Sequence, residues 1–168
     1  MLNYKDVTQK ARLANADVIA SALIAMGASF VGEDHQYDIY FQVQNGKLKF
    51  RHGTLGTLIT HYERIAVGPL EKTHVYRYDV NPTEAEVQQL FVTAERIGET
   101  HKIRKLYQFG NVSIHLDFLP SGENFIEVEA KDYAEEFSFV ELQAHCQSLF
   151  EQLGINPDDV LRSGYLSF

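Results

Sequence analysis

Basic residues in this chain recur at alternate positions within short apolar stretches. Lys47, Lys49 and Arg51 flank Leu48 and Phe50; Lys10 with Arg12 and Lys102 with Arg104 repeat the spacing, and Tyr62 and Arg64 add a further pair. The opposite sign follows later, where His115 and Asp117 alternate with Ile114 and Leu116, and Glu127 and Glu129 with Ile126 and Val128. From residue 106 onward only Lys131 and Arg162 are basic, against 11 acidic residues. Successive side chains of a strand face opposite ways, so each stretch carries one apolar and one charged face. A half-buried strand with a solvated face explains any one of these stretches, but solvated faces mix signs for solubility, and here the signs are segregated.

If the apolar faces lie under helices, the charged faces converge on an interior. Like charges gathered there repel by several kcal/mol at an effective dielectric of ~20, so a basic lining implies a polyanionic ligand and an acidic wall beside it a metal ion. A triphosphate with Mg²⁺ or Mn²⁺ meets both requirements. Mg²⁺ needs only one or two protein carboxylates beside phosphate oxygens and water, and Glu127 and Glu129, two apart on one face, suffice. His115 shares the charged parity and can hydrogen-bond phosphate.

The elements that must position these groups follow from periodicity and turn residues. Residues 4–13 read as a strand, with Val7, Ala11 and Leu13 on one parity and Asp6, Thr8, Lys10 and Arg12 on the other. Residues 17–26 form a helix whose stripe is Val18, Ala22, Ala25 and Met26, stopping at Gly27. Strands 37–43 and 47–52 flank Asn45-Gly46, read as a two-residue hairpin turn. Strands 58–67 and 73–80 precede the break Asn81-Pro82. Thr83-Glu84-Ala85-Glu86 is a capping box that opens a helix running to Gly98, with Val87, Leu90, Phe91, Ala94 and Ile97 on one face. Strands 101–109, 112–119 and 124–131 follow, then a second capping box, Ser138-Phe139-Val140-Glu141, for a helix ending at Gly154. Residues 156–168 read as a short helical turn and a tail. The order β-α-β(4)-α-β(3)-α places this chain in the α+β class, and eight antiparallel strands with one polar face close most economically into a β-barrel with the helices packed outside.

Composition narrows the function classes. The 168 residues are 45% hydrophobic, the size of a single domain spanning 1–168, and the net charge of −8 argues against nucleic acid or an anionic membrane as partner while leaving a homodimer open. The single cysteine, Cys146, precludes an internal disulfide and a cysteine-based zinc site; with no apolar run of membrane-spanning length and no signal-peptide pattern, the expected setting is cytoplasmic. The seven histidines lack metal-ligand spacing such as HExxH, and neither a P-loop nor GxGxxG is present.

Taken in order, Lys10-Ala11-Arg12-Leu13, Tyr37-Asp38-Ile39-Tyr40-Phe41, Asn45-Gly46-Lys47-Leu48-Lys49-Phe50-Arg51, Tyr62-Glu63-Arg64, Ile114-His115-Leu116-Asp117, Phe125-Ile126-Glu127-Val128-Glu129 and the closing Ser163-Gly164-Tyr165-Leu166 resemble the CYTH superfamily of class IV adenylate cyclases and thiamine triphosphatases. The resemblance implies an eight-stranded triphosphate tunnel. It places Lys10, Arg12, Lys47, Lys49, Arg51, Arg64, Lys102, Arg104 and His115 on the triphosphate, Asp6, Asp117, Glu127 and Glu129 on Mg²⁺ or Mn²⁺, and Lys10 and Glu129 in catalysis. The activity implied is conversion of ATP to cyclic AMP and pyrophosphate, with an organic or inorganic triphosphatase as the alternative and a non-catalytic nucleotide- or polyphosphate-binding module as a further one. Three positions depart from the family pattern. Thr8 replaces the second carboxylate of Glu-x-Glu-x-Lys, Ser113 stands where a basic residue is common, and Phe118-Leu119-Pro120 replaces a more acidic hairpin.

Overall fold

A computed structural model describes residues 4–68 and 70–161; the closing motif Ser163-Gly164-Tyr165-Leu166 and Arg162 lie outside the described residues. In chain order the elements are β1 (Lys5–Arg12), α1 (Ala16–Ala25), β2 (Ser29–Phe41), β3 (Lys47–Gly53), β4 (Gly56–Val67), β5 (Leu70–Val80), α2 (Glu84–Thr93), β6 (Arg96–Phe109), β7 (Val112–Phe118), β8 (Asn124–Asp132), α3 (Phe139–Gln152), a 3₁₀ turn (Pro157–Asp159) and a short β9 (Val160–Leu161). Strands pair antiparallel in the order β5-β4-β3-β2-β6-β7-β8-β1, and β1 pairs back onto β5 to close an eight-stranded barrel; β9 adds to the rim of β1. The expected α+β barrel with external helices is therefore the observed architecture.

Parity decides which face points where. Val7, Ile114, Leu116, Ile126, Val128 and Ala130 turn outward and form the main core with Leu142, Cys146, Leu149 and Phe150 of α3 and Ile19 and Leu23 of α1. A second cluster of Ile39, Phe41, Phe50 and Ile59 lies beneath Leu90 of α2. With the apolar parity spent on helix packing, the charged parity faces the barrel interior. Both capping boxes form as read: the Thr83 and Ser138 hydroxyls accept from Glu86 N and Glu141 N, and the Glu86 and Glu141 carboxylates accept from Thr83 N and Ser138 N.

Several boundaries differ from the sequence reading. On α1 the buried stripe is Ile19 and Leu23, whereas Val18 is exposed. Helix α2 stops at Thr93 rather than at Gly98, because Arg96 and Gly98 pair with Phe41 and Tyr40; sheet hydrogen bonding takes the residues that would have continued the helix, Ile97 among them. Asn45-Gly46 is not a two-residue hairpin turn. β2 ends at Phe41, with Gln42 N still bonded to Glu95 O at 2.7 Å, so five residues connect it to β3, and of these only Gly46 is left-handed (φ 71°). That position requires glycine twice over, since a Cβ there would run into the Tyr62 carbonyl. Finally, β5 begins at Leu70, not at residue 73, which sets Glu71 opposite Thr8 at the barrel closure.

Candidate active site

The barrel encloses a cavity of about 350 Å³ into which Lys10, Lys47, Lys49, Arg51, Arg64, Lys102, Arg104 and Lys131 all project, together with His115, Glu127 and Glu129. Six strands supply these side chains. Cross-strand register brings them together, with Asp38 facing Arg51, Arg104 facing Asp117, and Glu127 flanked by Lys10 and His115.

The ion pairs fall into two kinds. Arg51 grips the fully buried Asp38 with both Nε and Nη2 at 2.7 Å, and Arg104 grips the fully buried Asp117 at 2.7 and 2.8 Å. Each carboxylate also has a lysine nearby, Lys49 at 3.6 Å from Asp38 and Lys102 at 3.7 Å from Asp117. Such planar forks fix the guanidinium direction as well as its position. The second kind is looser. Lys10 Nζ stands 3.7 Å from both Glu71 and Glu127, Arg64 stands 3.2 Å from Glu127 and 3.9 Å from Glu71, and Lys131 stands 3.2 Å from Glu129. The Tyr62 ring lies under both Lys49 and Arg64, at 5.4 and 5.3 Å, and adds cation–π support.

Burial and charge set the protonation states. Burial alone would raise Asp38 and Asp117, but Lys49 and Arg51 at the first, and Arg104 and Lys102 at the second, outweigh it and hold both carboxyls well below their usual range. Burial, then Arg104, pushes Lys102 down to about 8, and burial with Arg51 drives Lys49 well below its ordinary value. Burial opposes ionisation of Glu127, yet Arg64 in particular keeps it ionised. Beneath the acidic wall, burial and then Glu129 push Asp6 above the carboxylate range, while Asp6 and Lys131 hold Glu129 low against its burial; Asp6 itself is not among the residues that line the cavity.

Of the residues read from the sequence, Lys10, Lys47, Lys49, Arg51, Arg64, Lys102, Arg104, His115, Glu127 and Glu129 share this one cavity. Arg12 does not. It is exposed at the end of β1, still paired with Phe125 of β8, and lies outside the lining. Asp117 lies beneath the lining with both oxygens on Arg104, which makes it an arginine holder rather than an open metal carboxylate. Asp38, Glu71 and Lys131 were not singled out as site residues. Lys131 shares parity with Glu127 and Glu129 on β8 and could have been found so, whereas β2, which carries Asp38, offered no candidate to align with, and Glu71 lay before the expected start of its strand.

The donor set suits a hard divalent cation. Glu127 and Glu129 present carboxylate oxygens to the cavity, and the Thr8 hydroxyl, across from Glu129, is buried without a hydrogen-bond partner. Among the described residues no three acidic, histidine or cysteine side chains converge as a ready-made metal cage, so phosphate and water would complete the coordination. The Ser113 hydroxyl, where a basic residue was expected, bonds Gln108 at 2.8 Å. No helix among the described residues is long and apolar enough to cross a membrane.

Comparison with known proteins bears on the fold. The family model of the CYTH domain matches residues 7–165. Among solved structures, protein PH1012 of Pyrococcus horikoshii superposes with a TM-score of 0.79 at 22% identity, covering 95% of this chain and 96% of that one. A candidate adenylate cyclase of Vibrio parahaemolyticus superposes with a TM-score of 0.71 at 16% identity over 98% and 97%. A candidate adenylyl cyclase of Hippeastrum, described as having a dominant triphosphatase activity, gives 0.62 at 12% identity over 96% and 92%. No curated protein sequence matches the chain.

Proposed function

The chain belongs to the CYTH family, and we propose that it is a divalent-metal-dependent enzyme that converts ATP to cyclic AMP and pyrophosphate. One observation carries this reading: a barrel cavity into which eight basic side chains project, with two carboxylates on the adjoining wall. Such a lining is complementary to the charges along a triphosphate, and Glu127 and Glu129 are the residues that would hold Mg²⁺ or Mn²⁺. Bound there, the ion supplies Lewis-acid polarisation of a phosphoryl oxygen.

The residues of the chain do the rest. Arg51 and Arg104, each held in a fork by a buried aspartate, present fixed donors to phosphate oxygens and need no reorganisation as charge develops. The ribose 3′-oxygen attacks the α-phosphorus, the bond to the bridging oxygen breaks, and the hydroxyl proton passes to water. Lys10 and Arg64 meet the charge that builds on the departing pyrophosphate. Lys49 and Lys102 hold the chain of phosphates against the opposite wall.

The test is incubation of the purified protein with ATP and Mg²⁺ or Mn²⁺, separating cyclic AMP and pyrophosphate from ADP and phosphate. Cyclic AMP that disappears in Glu129→Gln, while metal-free nucleotide binding persists, is the expected result. ADP and phosphate would assign the same clamp to a triphosphatase, as in the Hippeastrum neighbour. Binding without either product would refute an ATP-consuming enzyme.

A further inference from the structure

The lysines that line the cavity are held in different ways. Lys131 stands 3.2 Å from Glu129, and Lys10 lies between Glu71 and Glu127. Lys49 is buried and has a single carboxylate within 4 Å, Asp38 at 3.6 Å, and both oxygens of that carboxylate are already clasped by Arg51. Among the described residues its Nζ makes no hydrogen bond; it stands 5.4 Å from the centre of the Tyr62 ring and opens onto the cavity. Arg51 shares its strand face two residues on, and Asp38 pairs on its other side with Thr100, two residues before Lys102. Lys49 is thus set among cations around one occupied carboxylate. Burial, then Arg51, drive its amine well below the ordinary lysine value against the pull of Asp38, and Lys102 and Arg104 act in the same direction as Arg51.

A desolvated lysine next to other cationic groups is an activated nucleophile, because part of it carries a free lone pair. What stands beside it selects the electrophile. Arg51 and Arg104, each fixed in direction by a buried aspartate, are donors matched to phosphate oxygens. An electrophile that carries its own phosphate is therefore drawn to the place where the amine waits, and a cavity of about 350 Å³ admits one far smaller than a nucleotide. A mixed anhydride of a carboxylic acid and phosphoric acid has both parts: a phosphate for the arginines and a carbonyl carbon for Lys49.

We propose that Lys49 is a self-acylation site for small acyl phosphates, a covalent modification that closes the cavity to triphosphate. The inference rests on the phosphate-binding reading above and adds a means of regulating that same site. The Nζ lone pair attacks the carbonyl carbon and an N–C bond forms. The bond from that carbon to the bridging oxygen breaks, its electron pair leaves with the oxygen, and an amine proton passes to the departing phosphate; inorganic phosphate is released and nothing is oxidised or reduced. The amide left behind is neutral. The wall of Lys49, Arg51, Lys102 and Arg104 against Asp38 and Asp117 then has three basic groups in place of four, with an acyl group where phosphate would lie. Triphosphate opposes the reaction, since a bound polyanion both covers the amine and favours its protonated form.

The experiment incubates the purified protein in EDTA at neutral pH with acetyl phosphate, with and without tripolyphosphate, and follows each lysine by peptide mass spectrometry. Exposed Lys72 is the internal reference, and a parallel series uses p-nitrophenyl acetate, which delivers the same acetyl group without a phosphate. With acetyl phosphate, Lys49 is expected to be acetylated at least about tenfold faster than Lys72, the gain in free amine that one pKa step supplies. Tripolyphosphate is expected to suppress labelling of Lys49 and leave Lys72 unchanged, and p-nitrophenyl acetate to show a smaller preference. Calorimetric titration then finds tripolyphosphate bound about tenfold more weakly by the acetylated protein, as loss of one charged donor requires. Labelling of Lys49 no faster than of Lys72, a preference equally large with p-nitrophenyl acetate, or labelling that tripolyphosphate does not slow would overturn the acylation site, while tripolyphosphate binding by the untreated protein keeps the triphosphate reading. Untreated protein that binds no tripolyphosphate would overturn that reading, and the acylation site with it.

Discussion

Replacing Asp117 by Asn isolates the role of the buried carboxylates. Asp117 is completely inaccessible, accepts both Arg104 contacts at 2.7 and 2.8 Å, and stands 3.7 Å from Lys102. An asparagine keeps the volume but offers one acceptor oxygen and turns an amide toward the guanidinium, so that the carboxylate closest to two buried cations loses its charge. Breaking one side of a buried pair costs about 3–5 kcal/mol. For a domain of this size each kcal/mol lowers Tm by roughly 2–4 °C, so the fall is roughly 6–20 °C. The assay is thermal unfolding with and without tripolyphosphate. Phosphate brought against Arg104 and Lys102 replaces the lost charge, so the ligand raises Tm by more in the variant than in the wild type. Leu116→Ala serves as the contrast: Leu116 is fully buried in the outer core, its truncation costs a comparable 2–5 kcal/mol, yet its ligand increment matches the wild type. A small Tm change in Asp117→Asn, or a ligand increment no larger than in the wild type, would refute the electrostatic argument. Acid acts on the same contact. Because the folded pKa of Asp117 is depressed, its stabilisation is complete above about pH 4 and is lost as pH falls through the folded value.

Two other perturbations follow. Lys102 titrates near 8, below its ordinary 10.5, so tripolyphosphate affinity falls as pH rises through about 8; the ligand-free protein, relieved of a buried charge, gains stability from this group between pH 8 and 10.5, and opposite trends in calorimetric binding and thermal unfolding check both signs. Gly46→Ala combines a left-handed backbone with a clash at the Tyr62 carbonyl and is expected to cost more than about 1 kcal/mol in denaturant unfolding and to weaken triphosphate binding through the adjacent Lys47.

The barrel and most of its lining were legible because strand parity is a strict period of two: once Leu48 and Phe50 face the core, Lys47, Lys49 and Arg51 must share the other side. What parity does not give is where a strand begins or ends. Glu71 was missed because the closure of β5 on β1 is a long-range pairing with no local signal, and Arg12 has the right parity but lies one step past the cavity. The α1 stripe was misread at Val18, which is exposed; Ala22 and Met26 do pack against the core, but the buried members on this helix are Ile19 and Leu23, which only packing against the barrel selects. Nor does sequence reveal which carboxylates face the cavity and which lie beneath it. Asp117 and Glu127 look alike along their strands, but the first is enclosed by Arg104 and the second opens onto the cavity.

The two kinds of ion pair solve different parts of one electrostatic problem. An interior rich in cations is unstable unless some of the charge is neutralised, yet full neutralisation would leave nothing for phosphate to meet. Asp38 and Asp117 each stand against an arginine and a lysine, one carboxylate to two cations, so each group is held together and still turns positive charge toward the cavity. The arginines, clasped by two bonds apiece, keep their direction when ligand arrives and lose little side-chain entropy on binding. Lys10 and Arg64 are different. Their contacts to Glu71 and Glu127 are single and mostly longer, a geometry that phosphate oxygens can replace at small cost, and each contact so exchanged frees a carboxylate oxygen beside the acidic wall.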